Sequence, residues 1–392
     1  MPTDESKEAT PAHDLARFGY PLTNDQLMLR EAIATFANER LAPGAAERDR
    51  SREYPKELID EMAGLGLMGV KVPEDDGGAG ADNVTYVLLM EAVARADASC
   101  AVVMAGSNLV SSILADAASP EQKERFLRPL AEGERGAATF CLTEAHTGSD
   151  ARAIRTTATR TDGGWSITGQ KMWATSGAHA GLYLLFARTG EDGIGCFVVE
   201  PGTEGLEIGR EEQKMGQRSS GTVAIHFDGC VVPDSQLIGD PENGYRMALG
   251  SLTRGRIGIA ALSIGLAEAA LVEGLAYARE REAFGQRIVD FQNTQFVLAE
   301  SRTELDAAWL LVLRAAYLFD RGQRARQEAS MAKYWATEAT GRVIDRMLQL
   351  HGGYGYSEEY AIERIYRDHR VTRIYEGTNE IQRLVIAREM LR

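Results

Sequence analysis

The segment Gln349-Leu350-His351-Gly352-Gly353-Tyr354-Gly355-Tyr356 follows a long helical pattern and carries three glycines within four residues. Glycine directly after a helical pattern favours the end of the helix, because glycine adopts left-handed backbone conformations at little cost. The same glycines let another backbone or a ligand approach closely. On its own, the segment indicates a helix end.

The chain around this segment is helical. From about residue 244 onward it is rich in alanine, and no proline follows Pro241. Apolar residues between positions 260 and 278 recur at helical spacing, and the stretches 294–314 and 328–350 are each long enough to span a bundle. The pattern predicts a C-terminal four-helix bundle.

The rest of the chain divides into two regions of different periodicity. Residues 24–130 repeat apolar positions three and four apart, whereas from about residue 136 short apolar runs alternate with glycine and polar turns. The short runs predict an antiparallel β-barrel or a small β-sandwich over about residues 137–240. We therefore predict an α+β fold with a flexible N-terminal tail at 1–20, an N-terminal helical domain at 21–135, a central antiparallel β-barrel domain at 136–241 and a C-terminal helical bundle domain at 242–392.

Composition limits the partners. The 392 residues are 44% hydrophobic and 26% charged, as in globular proteins, and the net charge of −14 disfavours nucleic acid. No run approaches the roughly 20 consecutive apolar residues of a membrane span, and the first residues lack the pattern of a secretory signal. We therefore expect a cytoplasmic protein without a membrane partner. The four cysteines and six histidines lack disulfide or zinc spacing, so no metal is predicted.

A second informative segment is Ile374-Tyr375-Glu376-Gly377-Thr378-Asn379-Glu380-Ile381-Gln382. Gly377 permits unusual backbone conformations, and Thr378 is predicted to cap a helix over residues 381–391. Glu376 would then project from the entrance of that helix, where its carboxylate can accept a proton. In isolation, a solvated turn glutamate is the simpler interpretation.

Two motifs lie within the β region. Cys141-Leu142-Thr143-Glu144-Ala145-His146-Thr147-Gly148-Ser149-Asp150 is typical of a tight polar loop that holds a flavin or phosphate oxygen. Gly169-Gln170-Lys171-Met172-Trp173-Ala174-Thr175-Ser176 places an indole beside a hydroxyl, which suits a planar heterocycle. Taken singly, an ordinary loop and a core tryptophan are the simpler interpretations.

Together with Arg281-Glu282-Ala283-Phe284-Gly285, these segments, in this order and at these separations, resemble the FAD-dependent acyl-CoA dehydrogenase family. The resemblance covers nearly the whole chain, and the family has the helical, β-barrel and four-helix order inferred above. The segment 349–368 matches the family's C-terminal signature at Gln349, Gly352, Gly353, Gly355, Glu359, Arg364 and Asp368. Ala145, Thr147 and Thr253 depart from the family pattern, so the resemblance does not define the fine shape of the loop at 141–150 or the contact of residue 253 to the pantetheine.

The resemblance implies the positions of the site residues. Glu376 is the implied catalytic base. The implied FAD contacts are Phe140, Leu142, Thr143, Gly148, Ser149, Trp173, Thr175, Thr378 and Glu380. A neighbouring subunit is implied to contribute Arg281, Phe284, Gln292, Gln349, Gly352 and Gly353 to the same FAD, which requires at least a dimer and in the family is usually a homotetramer. The implied substrate contacts are Ser149, Arg256, Tyr375 and Gly377.

The resemblance also implies the reaction. Glu376 would take the α-proton of a saturated acyl-CoA while the β-hydride passes to flavin N5, giving the trans-2-enoyl-CoA, with an electron-transfer flavoprotein as acceptor. Some branches of the family place the base on the helix that here contains Leu252 to Arg256, but no Asp or Glu occurs between Gly244 and Leu266. The alternatives on the same fold are an acyl-CoA oxidase, an enoyl-CoA reductase and a non-catalytic member.

Overall fold

The computed structural model describes residues 22–392, and the tail predicted at 1–20 lies outside the described residues. The N-terminal region is helical, and polar side chains determine where its helices begin. Thr23 with Gln26 and Ser119 with Gln122 form capping boxes, while Asp82 and Asp97 cap the two central helices. The helices are α1 (Asn24–Phe36), α2 (Ala45–Ser51), α3 (Lys56–Gly64), α4 (Asn83–Ala96), α5 (Ala98–Ala117), α6 (Pro120–Gln122) and α7 (Arg128–Ala131).

The C-terminal region contains five further helices. They are α8 (Gly244–Glu280), α9 (Gln292–Asp320), α10 (Arg326–His351), α11 (Ala361–His369) and α12 (Asn379–Met390). Helix α10 packs against α8, α9 and α12, and α8 also packs against α9. Helices α4 and α5 also pack against α8, so that one continuous core joins the N-terminal and C-terminal helices. This shared core brings α4, α5, α8 and α10 together around one site.

Helices α5 and α8 are apolar and long enough to cross a membrane by length and composition. The prediction from consecutive apolar residues did not identify them, because small polar residues and glycines interrupt their apolar runs. However, 83% of the apolar window of α5 and 67% of that of α8 is buried inside the protein, as in core helices of soluble proteins. The two helices are therefore weak evidence for a membrane span.

Between the helical regions lies one eight-stranded sheet. Its strands are β1 (Ala138–Cys141), β2 (Thr157–Thr161), β3 (Gly164–Ala174), β4 (Leu182–Arg188), β5 (Ile194–Val199), β6 (Leu206–Glu211), β7 (Val223–Pro233) and β8 (Leu237–Ile238). The order is β6-β7-β3-β2-β4-β5-β8, with β1 added beside β4. A separate short hairpin, β9 (Glu282–Ala283) and β10 (Gln286–Arg287), connects α8 to α9.

The prediction of a closed antiparallel barrel is wrong. Strands β1 and β2 both run parallel to β4, and β2 meets β4 through the single pair Thr157 and Arg188. The sheet is therefore open, with β6 and β8 at its two ends and only one residue pair joining β2 to β4. Strands β2 and β6 contain no short apolar run of the kind that predicted the β region, because most of their side chains are polar or exposed.

Candidate active site

Glu376 lies in the turn that leads into α12. Its φ angle is 51° and that of Gly377 is 89°. The Thr378 side chain accepts a hydrogen bond from the Ile381 N–H, which confirms the predicted N-cap. A glutamate in the left-handed region costs of order 1 kcal/mol, so the surrounding structure must hold it there.

Two buried side chains hold this turn through its carbonyl groups. Lys333, on α10, donates from Nζ to the Gly377 oxygen at 3.0 Å. Gln382, on the first turns of α12, donates from Nε2 to the same oxygen at 2.8 Å and to the Glu376 oxygen at 3.3 Å. The unusual backbone of the turn is therefore fixed from two helices.

The Glu376 carboxylate points at Gly255 of α8. A Cβ atom on Gly255 would lie 2.6 Å from Glu376 Oε2 and 2.6 Å from Leu109 Cδ2, so a glycine is needed for this approach. The Oε2 atom is buried and has no hydrogen-bond partner among residues 22–392. Buried polar atoms in folded proteins are usually paired. An unpaired carboxylate oxygen in the core indicates a group kept available for a ligand.

Burial raises the pKa of Glu376 to about 7, against the opposing effect of three cations, Lys333, Arg256 and Lys71. Burial also lowers the pKa of each cation, to about 7 for Lys333, about 10 for Arg256 and about 8 for Lys71. The carboxyl group is thus poised to change protonation near neutral pH, which suits a general base.

The other implied substrate residues differ in setting. Arg256 is buried beside the base and donates from Nη1 to Ser330 Oγ at 2.9 Å. The Tyr375 hydroxyl accepts from Gln217 Nε2 at 3.2 Å. The Gly377 carbonyl is occupied by Lys333 and Gln382, whereas Ser149 is exposed in a loop. The structure therefore places Arg256, Tyr375 and Gly377 with Glu376.

The motif at 141–150 follows strand β1 and is anchored by a buried ion pair. Lys171 Nζ lies 2.8 Å from Glu144 Oε1 and donates to the Leu142 oxygen at 3.0 Å. Met172 N–H donates to the Thr143 oxygen at 2.8 Å, which ties the motif to β3. Leu142 is buried and Phe140 is half-buried, whereas Gly148 and Ser149 are exposed. The exposed end of the motif is available to a ligand.

The motif at 169–176 covers the end of strand β3 and contains two residues in the left-handed region. Trp173 has a φ of 60° and is 57% exposed, and Ser176 has a φ of 62° and is buried. Ser176 Oγ has no hydrogen-bond partner in the described part of the chain, and Thr175 is half-buried. A core position for Trp173 is thereby excluded. Its exposed indole provides a flat apolar surface for a ligand.

The residues implied to serve a neighbouring subunit lie elsewhere. Arg281, at the end of α8, lines a surface cavity of about 480 Å³ together with Gly352 and Gly353. Gly352 has a φ of 58°, and no atom lies within 4 Å of the position of a Cβ there. Gln292 and Gln349 are exposed, and Phe284 is 98% exposed with a φ of 53°. The almost fully exposed phenyl ring is free to contact another molecule.

This second group is remote from Glu376 within one chain. Gly255 lies about a third of the way along α8 and Arg281 directly follows its last residue, so at 1.5 Å per residue the helix separates them by about 40 Å. The structure therefore does not bring the Arg281 group and the base into one site of a single chain.

The residues fit a flavin adenine dinucleotide. The exposed Trp173 offers a stacking surface, and the Gly148 and Ser149 loop offers backbone N–H groups and a hydroxyl. Arg281 beside the open Gly352 and Gly353 suits a diphosphate. Thr378 and Glu380 lie at the start of α12, where Thr378 caps the helix and Glu380 is exposed.

Sequence analysis did not single out Lys333, Gln382, Gly255 or Lys71. Lys333 is a single lysine in an otherwise small-residue face of α10, with Ala329, Ala332 and Ala336 around it. A cation on an apolar helix face is a detectable signal. Its proximity to Glu376 is not detectable in the sequence, because 43 residues separate them.

Comparison with known proteins agrees along the whole described chain. Residues 23–134, 139–230 and 242–391 match the N-terminal, middle and C-terminal domains of acyl-CoA dehydrogenase, respectively. An acyl-CoA dehydrogenase of Bacillus subtilis (strain 168) is 41% identical over 375 residues, which cover 94% of this chain and 99% of that protein.

Two further similarities concern function. Caffeyl-CoA reductase-Etf complex subunit CarC of Acetobacterium woodii is 38% identical over 371 residues, 93% of this chain and 98% of CarC. The solved structure of butyryl-CoA dehydrogenase from Megasphaera elsdenii superposes with a TM-score of 0.93 at 37% identity, covering 95% of this chain and 100% of that one.

Proposed function

Because this chain belongs to the acyl-CoA dehydrogenase family of FAD-dependent oxidoreductases, we propose that it converts a saturated acyl-CoA thioester to the trans-2-enoyl-CoA, with Glu376 as the base. The proposal rests on the half-buried Glu376, whose Oε2 atom is buried and has no hydrogen-bond partner among residues 22–392. A carboxylate that only stabilised the fold would have a hydrogen-bond partner.

The α-proton of a thioester is weakly acidic, so the base must combine sufficient basicity with an ionised state at working pH. The raised pKa of Glu376, about 7, meets both needs. The carboxylate must be deprotonated to accept the proton. The fraction of enzyme with an ionised Glu376 therefore rises as the pH increases through about 7. A bound acyl chain that excludes water would raise the pKa of Glu376 and move this rise to higher pH.

The enolate that develops on the thioester oxygen needs a hydrogen-bond donor. The Glu376 N–H donates no hydrogen bond to the described residues and is available for this oxygen. Its fixed φ of 51°, held by Lys333 and Gln382, keeps the donor and the carboxylate of one residue in a constant relation. When bound, FAD supplies the oxidant that accepts the β-hydride.

We place the flavin between chains. Phe140, Leu142, Thr143, Gly148, Ser149, Trp173, Thr175, Thr378 and Glu380 of one chain would hold it with Arg281, Phe284, Gln292, Gln349, Gly352 and Gly353 of a second copy. The distance of about 40 Å along α8 supports two chains, because one chain cannot bring both ends of α8 to one ligand. A homotetramer satisfies this arrangement for every copy.

The proposed electron acceptor is an electron-transfer flavoprotein. The name of CarC supports it, since that relative is a subunit of an Etf complex. The same name supports a second candidate, reduction of an enoyl-CoA, which runs the reaction in the opposite direction on the same residues. We further propose a cytoplasmic location, in keeping with four buried cysteines that are all unpaired.

The test is anaerobic addition of saturated acyl-CoA thioesters of increasing length and branching, butyryl-CoA among them, to the purified yellow protein. We expect the flavin colour to bleach and the trans-2-enoyl-CoA to form with at least one of them. Failure with every saturated thioester, together with reoxidation of the reduced flavin by an enoyl-CoA, would instead identify a reductase.

A further inference from the structure

We propose that Lys333 is a positioning residue for the base, whose ammonium group holds the turn at Glu376 and keeps the neighbouring carboxylate ionised. The inference rests on the proposed role of Glu376 as the base. It adds a residue of α10 to the catalytic arrangement.

Lys333 has the contacts that such a role requires. The side chain is fully buried, and Nζ donates to the Gly377 oxygen at 3.0 Å and to Asn379 Oδ1 at 2.9 Å. Asn379 is itself oriented, because its Nδ2 donates to Thr337 Oγ1 at 3.0 Å and to Glu338 Oε1 at 2.7 Å. Nζ is thus directed at the residues immediately after Glu376.

Lys171, which is also fully buried, provides a comparison. Lys171 forms an ion pair with Glu144 at 2.8 Å, which neutralises its charge in the way expected of a structural lysine. Lys333 forms no ion pair within 4 Å among residues 22–392, and its two acceptors are uncharged. Among nearby acids, Glu376 has the largest stabilising effect on its charge, ahead of Glu338 and Glu380. The charge of Lys333 therefore acts mainly on the base.

The charged groups around Glu376 come from several elements, whereas α5 faces it with the apolar Leu109. Lys333 from α10, Arg256 from α8 and Lys71 from the segment before α4 lower its pKa, in that order of importance. The phenols of Tyr86 on α4 and Tyr375 beside the base are uncharged near pH 7, because burial raises the pKa of both. Since Lys333 is only partly protonated near pH 7, a neutral and a permanently charged replacement should act in opposite directions.

The experiment compares Lys333→Gln, Lys333→Arg and Thr337→Val in the holoenzyme. The rate of anaerobic bleaching by acyl-CoA is measured across pH values around 7, and the protonated carboxyl band of Glu376 is titrated by infrared spectroscopy, assigned by its loss in Glu376→Gln. We expect Lys333→Gln to move the pH dependence of bleaching and the carboxyl titration up by about one pH unit. At pH values below the midpoint, bleaching should then be about tenfold slower than in the wild type. Lys333→Arg should move them to lower pH.

Thr337→Val is the matched control, because it removes a hydrogen bond from Asn379 without changing any charge, and its titrations should not move. Unmoved titrations in Lys333→Gln, or an equal shift in Thr337→Val, would overturn the inference. If Lys333→Gln does not fold, an unmoved limb in Lys333→Arg has the same meaning. If the Glu376→Gln variant bleached at the wild-type rate, the proposed function itself would be refuted, which is a separate result.

Discussion

The two ends of α8 present opposite kinds of site. Around Gly255, in its N-terminal half, Glu376 lies among α4, α5, α8 and α10 of the same chain, and the nearby cations Lys333, Arg256 and Lys71 lower its pKa. Around Arg281, at its C-terminal end, Gly352 and Gly353 face an open cavity, and Phe284 is 98% exposed. The chemistry therefore lies in the interior of one chain, while much of the cofactor surface is completed only by a second.

This difference has a physical basis. A base needs a low-dielectric environment to acquire a useful pKa, and a single core supplies it. A long cofactor needs contacts over its whole length, and a 37-residue helix carries residues to distant surfaces at little conformational cost. Substitutions at the two ends should therefore affect different quantities.

The largest effect is expected for Glu376→Gln. The amide cannot accept a proton, so anaerobic bleaching should fall by about a thousandfold or more, with FAD still bound. Because burial holds the pKa of Glu376 near 7, above the usual value of 4.5, ionisation lowers stability as the pH rises from about 4.5 to 7. Glu376→Gln should thus melt at a higher temperature than wild type at pH 8, and this advantage should disappear below pH 4.5. Near-normal bleaching in this variant would show that Glu376 is not the base.

A smaller effect on the same end is expected for Gly255→Ala. The added methyl group would lie 2.6 Å from Glu376 Oε2 and displace the carboxylate, so bleaching should slow by about tenfold to a hundredfold while FAD binding is retained. Gly250→Ala is the control, since it lies on the same helix with no atom within 4 Å of its Cβ position. Equal rates in the two variants would show that close packing at Gly255 is not required.

At the opposite end, Arg281→Ala should leave the bleaching rate per bound flavin unchanged. FAD retention and oligomer stability should fall together, by about tenfold in affinity, because a ligand shared by two chains links the two equilibria. Flavin content and sedimentation measure both quantities, and Arg287→Ala is the control, since Arg287 pairs with Asp290 outside the cavity. A monomeric wild type that holds FAD stoichiometrically would contradict the shared site.

The smallest effect is expected for Trp173→Phe. The indole is 57% exposed, so the variant should change the flavin absorption and fluorescence and slow reoxidation, with only a small loss of melting temperature. Trp309→Phe is the matched control, because Trp309 is 2% exposed in the helical core. Its substitution should lower the melting temperature without a spectral change. An unchanged spectrum in Trp173→Phe would exclude Trp173 from the flavin site.

Much of the local structure was predictable from the sequence. The Thr378 cap, the Ser119 start, the glycines that end α10 and the long helices of the C-terminal region follow from short-range rules of capping and periodicity. Family resemblance, carried by the segments around Gly352 and Glu376, matches the relatives found by comparison. These features depend on residues within a few turns of each other, so that sequence spacing alone defines them.

Only the tertiary structure decided the form of the sheet and the environment of the base. Whether a sheet closes depends on which strands pair, and the parallel pairing of β1 and β2 with β4 joins segments that no local pattern connects. Likewise, Glu376 is identifiable as an acid in the sequence, but its pKa depends on burial and on Lys333, Arg256 and Lys71, which come from three separate segments. Periodicity records which face of an element is buried, whereas charge and desolvation depend on distances in space that only the packed chain sets.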